Sequence, residues 1–304
     1  MLNNLKVALL YGGVSSEREI SIKSGKAVEE ALKKSGFTYK VFDPAEGKDF
    51  IDKLVSFNPD VVFIALHGKG GEDGTIQGLL DFLNLRYTGS PLKASAIAMD
   101  KALTKDILSS HGILVPKGYT FFSIEEAFRT KVDFPVVVKP ATEGSSIGVF
   151  IVKDNESYRE ALKEAFKIDS KVVVEEYIEG RELTVSILNG EPLDVIEIKV
   201  KEGFYDYKNK YLTDETEYIC PAPIGKKLYE ELQEIALKSY QIIGCKGAAR
   251  IDFILKGENP YLLEINTIPG LTDHSLLPKA AACKGITFEK LIEEIIKDAV
   301  GQKN

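Results

Sequence analysis

Between Lys6 and Tyr87 the chain switches back and forth between two hydrophobic periods, and this alternation narrows the folds open to it. Lys6–Tyr11, Tyr39–Phe42 and Asp60–Leu66 are short apolar runs that read as strands, with Arg86–Tyr87 a shorter one. Ile20–Ser35, Asp49–Ser56 and Thr75–Asn84 separate them, with apolar residues at helical spacing. Strands joined through helices lie parallel, because each crossover returns the chain to the same end of the sheet. The first third is therefore predicted to be a parallel sheet with helices on its faces. In such sheets ligands gather at the carboxyl ends of the strands.

From about Pro91 the pattern changes. A helix is expected over Ser95–Ser110, then strands at Val136–Lys139 and Val149–Val152 around a Gly/Ser loop. A helix near Ser157–Phe166 and a strand at Val172–Tyr177 follow. The remainder is strand-rich from Leu183, interrupted by a helix over Lys227–Ile243 and closed by one near Phe288–Val300. At 304 residues the chain exceeds one compact core, and it divides as 1–90, 91–180 and 181–304.

Composition excludes several classes of function. With 39 basic and 46 acidic residues the net charge is −7, which argues against a general nucleic-acid binder. No apolar run approaches the ~18 residues needed to span a bilayer, and the stretch before Gly12 is too short for a signal peptide. Cys220, Cys245 and Cys283 are far apart, with no pair at metal or redox spacing, so a reducing cytoplasm is expected. His67, His111 and His274 are scattered too and suggest no transition-metal site.

Chemistry concentrates in a few segments. Arg250–Leu255 and Tyr261–Asn266 read as two antiparallel strands joined by a turn over Lys256–Pro260. Alternation places Arg250 with Asp252 on one face and Glu264 with Asn266 on one face. Ile251, Phe253, Leu263 and Ile265 take the opposite, buried face. In register, two carboxylates and an amide oxygen converge beside an arginine. Hard oxygen donors of that kind suit Mg²⁺, and a salt-bridged surface hairpin is the plainer alternative. Val136–Pro140 followed by Ala141–Gly148 offers backbone N–H groups and hydroxyls between two strands, with Lys139 as a point cation for a phosphate. It is not a Walker A loop, and a flexible hairpin turn would look similar.

Two glycine-rich segments and an aromatic one complete the set. Gly12–Glu17 leads from a strand into a helix, which suits an anion and equally an ordinary turn. Glu17 there either complements the helix dipole or holds a substrate ammonium. The glycines of His67–Gly74 follow a strand's carboxyl end, where backbone freedom is costly unless something approaches closely. Phe204–Tyr211 is aromatic and cationic, as a lid or a packed surface loop would be. No dinucleotide fingerprint occurs.

In this order the segments resemble the D-alanine–D-alanine ligase family of the ATP-grasp superfamily, over nearly the whole chain. Ala65–Gly74, Glu143–Gly148, Tyr205–Thr216, Gly247–Asp252 and Leu263–Ser275 carry the resemblance. It implies an α/β, three-subdomain ATP-grasp fold: an N-terminal parallel-sheet domain plus two α+β domains clasping ATP. Both substrates would be D-alanine, with two Mg²⁺ (or Mn²⁺), in a cytoplasmic homodimer serving peptidoglycan synthesis. By the same resemblance Glu17 would bind the first ammonium, linked to Ser145 and Tyr211. Lys101 and Lys139 would contact phosphates under the Glu143–Gly148 loop, which includes Ser146, and Lys210 would assist at the transferred phosphate. Glu175, Glu176 and Ile178 would surround the adenine, and Glu182 would meet the ribose. Asp252, Glu264 and Asn266 would bind the metals. Arg250 and the Gly270 N–H would form the oxyanion site, Ser275 and Leu276 would hold the second substrate's carboxylate, and His67 would be a further substrate-binding residue.

A carboxylate is a poor acyl donor, so ATP would first convert it to an acyl phosphate, which a second amine then attacks. Glu176 stands where some relatives carry lysine, and Asp273 and Ile268 also differ from the commonest residues. The family uses the Glu176 position through its backbone, and the departures at Asp273 and Ile268 bear on fine substrate preference rather than on the reaction. Two rival readings are another carboxylate–amine ligase, such as one making D-alanyl-D-lactate, and a nucleotide-binding regulatory protein without turnover.

Overall fold

The computed structural model describes residues 4–200 and 216–301. Strand β1 (Lys6–Leu10) is the centre of a three-stranded parallel sheet, flanked by β2 (Thr38–Phe42) and β3 (Val61–Ile64). Val7 to Leu10 are wholly buried, which explains a continuous apolar run rather than an alternating one. Helices α1 (Arg18–Lys34), α2 (Lys48–Phe57) and α3 (Thr75–Phe82) fall where helical spacing placed them. The short strand expected at Arg86–Tyr87 reduces to one parallel bridge between Tyr87 and Val62. On α1 the buried stripe runs through Ile20, Ser24, Val28 and Leu32, and two serines, Ser21 and Ser24, are buried with the apolar residues.

The single helix expected over Ser95–Ser110 is two, α4 (Leu92–Met99) and α5 (Lys101–Ser110). Asp100 breaks it. Its backbone is extended, its carboxylate caps α5 by accepting from the Leu103 N–H, and its other oxygen pairs with Lys171 at 2.6 Å. Apolar spacing continues across the break, so periodicity alone does not reveal it. The break makes Lys101 the first residue of α5.

A four-stranded antiparallel sheet follows in the order β4–β7–β5–β6, from β4 (Gly118–Phe121), β5 (Val136–Pro140), β6 (Phe150–Val152) and β7 (Val172–Glu176). Helices α6 (Ile124–Arg129) and α7 (Asn155–Ile168) belong to it. Tyr158, Leu162 and Ala165 of α7 pack on Val136, Val138, Val172 and Val174. Alternation turns Val137, Lys139 and Glu175 toward the opposite face.

The third sheet is antiparallel in the order β10–β9–β8–β11–β12. It comprises β8 (Arg181–Leu188), β9 (Glu191–Val200), β10 (Thr216–Ile219), β11 (Ala248–Lys256) and β12 (Asn259–Asn266). Helix α8 (Lys226–Ile243) lays Leu232, Ala236 and Tyr240, one turn apart, against Ile251 and Phe253. It stops at Gly244, whose φ of 81° is the left-handed cap glycine favours. Ala94, Ala98 and Leu108 join this core from α4 and α5. Two further helices, α9 (Leu276–Cys283) and α10 (Phe288–Gly301), return to the first sheet, where Leu291 and Ile295 share a core with Val7, Leu9 and Phe63.

The wide sequence spacing of the cysteines does not keep two of them apart in the fold. Cys220, just after β10, and Cys283, ending α9, form a disulfide although they lie 63 residues apart. Sequence spacing carries no signal of a contact that only the tertiary fold creates. Cys245 is free and buried. No helix among the described residues is long and apolar enough to cross a membrane.

Candidate active site

Strands β11 and β12 set Arg250 opposite Asn266 and Asp252 opposite Glu264, so all four polar residues share one face. Arg250 grips Asp252 with two hydrogen bonds, Nε to Oδ1 at 2.9 Å and Nη2 to Oδ2 at 2.7 Å. On the neighbouring strand the Thr184 hydroxyl donates to Asp252 Oδ1 at 2.6 Å. Ile251, Phe253 and Ile265 take the buried face as expected. Leu263 does not. A β-bulge beyond Asp252 pairs Phe253 with Leu262, so Leu262 enters the core and Leu263 turns to the polar side.

That polar side borders a cleft of about 530 Å³ between the second and third sheets. Val137, Ile151, Ile254 and Leu263 supply apolar walls, while Lys101, Lys139, Asp252 and Glu264 meet at one end. Glu143, Ser146, Glu175, Glu176, Ile178 and Glu182 line it as well. Glu175 is buried and divides its carboxylate between Lys139, on one oxygen, and Lys105, on the other. Burial would raise the Glu175 carboxyl, but the two ammonium groups outweigh it and hold it below the usual carboxylate range. Burial pushes Lys105 down to about 7 against the pull of Glu175.

A second, smaller pocket of about 70 Å³ adjoins the first. Glu17, His67, Ser145, Arg250, Asn266, Gly270, Ser275 and Leu276 line it. Lys101 and Glu264 line both, 3.6 Å apart at the join. The Glu143–Gly148 loop runs between the two spaces, with Ser145 facing the small pocket and Ser146 the large one. Both serines are left-handed, at φ 50° and 58°, which costs about 1 kcal/mol or more each for residues with a side chain. Ser145 donates to Glu17, whose carboxylate is buried and makes no helix-capping bond. Gly68 explains the glycines after β3: at φ 69°, a Cβ there would stand 2.7 Å from Glu17 Oε2. A Cβ on Gly270 would likewise meet Ser275 Oγ at 2.7 Å.

The glycine turn at Gly12–Gly13 proves structural. Its N–H groups go to Ser21 Oγ and Asp43 Oδ1, both at 2.8 Å, and Arg18 pairs with the same aspartate.

Two family models match the chain: "D-ala D-ala ligase N-terminus" over residues 46–90 and "D-ala D-ala ligase C-terminus" over residues 117–297. A D-alanine–D-alanine ligase of Syntrophotalea carbinolica is 47% identical, covering 98% of this chain and 97% of that protein. The chain belongs to the D-alanine–D-alanine ligase family. Crystal structures of the Bacillus anthracis family member superimpose with a TM-score of 0.85 at 37% identity, and with 0.83 at 35% in a complex with ATP. Each covers 97% of both chains. The fold is thus the α/β ATP-grasp fold of this ligase family.

Of the site residues expected from sequence, Lys210 and Tyr211 lie outside the described residues, as does the Phe204–Tyr211 segment. The rest fall on one or both of the two adjoining spaces. His67 lines the small pocket, but both its ring nitrogens are engaged, by Ser24 and by Glu72. Sequence reading passed over Lys105, Thr184 and Glu72. A lysine four residues after Lys101 reads as a solvated helix face, and only that i, i+4 spacing hinted that the two share one side.

Asp252, Glu264 and Asn266 fit Mg²⁺ by donor chemistry: two carboxylates and an amide oxygen on one polar face. Among the described residues no three His, Cys, Asp or Glu converge, since the third oxygen here is an amide. Asn266 Oδ1 accepts from the Ile268 N–H at 2.9 Å, which orients it. Arg250 occupies both Asp252 oxygens, so a metal there would share that carboxylate with the guanidinium.

Proposed function

We propose that the two adjoining spaces hold ATP and two D-alanines, and that the protein joins the amino acids through an acyl phosphate. The activity of the family is ATP-dependent ligation of two D-alanines to D-alanyl-D-alanine, for peptidoglycan precursors. One observation carries the assignment of parts: a nucleotide-sized cleft and a small pocket share Lys101 and Glu264, with Arg250 alongside. Phosphoryl transfer between ligands in two spaces needs such a junction.

In this reading Glu17, buttressed by Ser145, takes the ammonium of the first D-alanine. The carboxylate oxygen of that D-alanine attacks the γ-phosphorus, the bond to the bridging oxygen breaks, and ADP carries the electron pair away. Lys101 and Lys139 neutralise charge on the phosphates, with Lys210 assisting. Asp252, Glu264 and Asn266 would hold two Mg²⁺ or Mn²⁺, which supply further neutralisation of the transferring group when bound. The amine of the second D-alanine, held by its carboxylate at Ser275 and Leu276, then attacks the carbonyl carbon. Arg250 and the Gly270 N–H face the tetrahedral oxyanion, which collapses to expel phosphate. Glu175, Glu176 and Ile178 would surround the adenine, with Glu182 at the ribose and Tyr211 completing the Glu17–Ser145 set. The reading also includes three subdomains at 1–90, 91–180 and 181–304, and a cytoplasmic homodimer.

The test supplies Mg-ATP with D-alanine, L-alanine, or D-alanine plus D-lactate, and identifies products by mass. Phosphate release that depends on D-alanine, with D-alanyl-D-alanine formed, is the expected result. Bound ATP without release would favour a regulatory nucleotide binder, and a depsipeptide product would favour the D-lactate-using type.

A further inference from the structure

Ser24 lies wholly buried on α1, behind the small pocket rather than in its wall. Its hydroxyl has two partners among the described residues. The Leu271 N–H donates to Ser24 Oγ at 3.3 Å, and His67 Nε2 lies 2.9 Å from the same oxygen. His67 Nδ1 in turn meets Glu72 Oε1 at 3.2 Å.

The direction of these bonds follows from the donor inventory. An amide N–H only donates, so Ser24 accepts from Leu271. A carboxylate oxygen accepts, so His67 Nδ1 bears a hydrogen toward Glu72. Ser24 has one hydrogen left, and with a neutral His67 ring Nε2 is its one remaining hydrogen-bond partner among the described residues. The chain therefore runs one way: Leu271 N–H to Ser24, Ser24 O–H to His67, His67 N–H to Glu72. It ties together α1, the loop after β3 and the loop after β12, which are 43 and 247 residues from Ser24.

We propose that Ser24 is a positioning residue for the ligation step: its hydroxyl holds the Gly270–Leu271 backbone and fixes the tautomer and orientation of His67. The proposal rests on the ligase reading above, in which the Gly270 N–H faces the oxyanion. Leu271 directly follows Gly270, so the bond from its amide sets the direction of the preceding donor. Removing the hydroxyl strands a buried N–H and a buried imidazole nitrogen at one point, and both must shift or find new partners. Oxyanion donors act only when aimed, so a small displacement is read in the rate of ligation.

The experiment has two arms on the full-length protein. The first records ¹⁵N spectra of the histidine rings, of which there are three, with His67 assigned by its loss in His67→Gln. The expected state is Nδ1 protonated and Nε2 bare; the opposite tautomer or a doubly protonated ring would overturn the proposal whatever the variants do. The second compares Ser24→Ala with Ser24→Thr, which keeps the hydroxyl. Ser24→Ala should lower kcat by about tenfold to a hundredfold, less than the loss of an oxyanion donor itself, with KM for ATP within about twofold. Ser24→Thr should recover most of that loss. A folded Ser24→Ala with kcat within about twofold of wild type, or a folded Ser24→Thr as slow as Ser24→Ala, refutes the role. If Ser24→Ala does not fold, the tautomer and Ser24→Thr decide. Failure of the wild-type protein to make any dipeptide would instead sink the ligase reading and leave the tautomer result standing.

Discussion

Glu175 is buried between Lys139 and Lys105, so the lysine that the proposed function gives to the phosphates is held by a carboxylate that a second lysine holds in turn. In the free protein burial holds Lys105 at about 7, so near neutrality it is only partly charged. A triphosphate bound beside Lys139 favours the charged form, and the bound-state value must lie higher. Binding then takes up a proton between those two values, and ATP affinity falls as pH rises above about 7. Calorimetry at pH 8 in two buffers of different ionisation enthalpy should detect this uptake, since the phosphates themselves are fully ionised there. Lys105→Met should abolish the uptake and weaken ATP; equal heats in both buffers for the wild-type protein would refute the coupling. Sequence made the oxygen donors Asp252, Glu264 and Asn266 legible because polar residues interrupt apolar strands. Lys105 was not legible, because nothing in its neighbours reveals that the far side of α5 is covered.

At the scale of elements, periodicity located β1, β3, α1, α7, α8 and the β11–β12 pair within a few residues, since each has one clear buried face. It failed where a local contact overrides the pattern. Asp100 divides α4 from α5 by capping, and the bulge in β12 redirects Leu263 into the cleft. Two short elements, β4 and α6, were too brief to show a period. The polar face of β11 depends on its apolar back being held by α8, where Leu232 is fully buried. Leu232→Ala should therefore destabilise the protein by about 2–5 kcal/mol, as a cavity under the sheet. Thermal or urea unfolding measures this. Because the cavity lies on the face away from the cleft, KM for ATP at low temperature should stay near the wild-type value. A loss below about 1 kcal/mol would mean that the core collapses around the gap.

The described residues form three sheets, and the candidate site is where they meet. The parallel sheet and its loops bring Glu17 and His67, the second sheet brings Lys139 and the serine loop, and the third brings Arg250, Asp252 and Glu264. Lys6 to Tyr87 already read as parallel α/β, yet nothing in strand or helix periods says which sheets face one another. Their convergence was visible only through family resemblance. The Cys220–Cys283 link was invisible for the same reason. In the proposed reading the site passes a phosphoryl group from the large space to a carboxylate in the small one. D-alanine labelled with ¹⁸O in its carboxyl group tests that transfer directly, by mass analysis of the phosphate released during dipeptide synthesis. The account predicts one labelled oxygen in each phosphate, carried over when the acyl phosphate is displaced; phosphate free of label would contradict it.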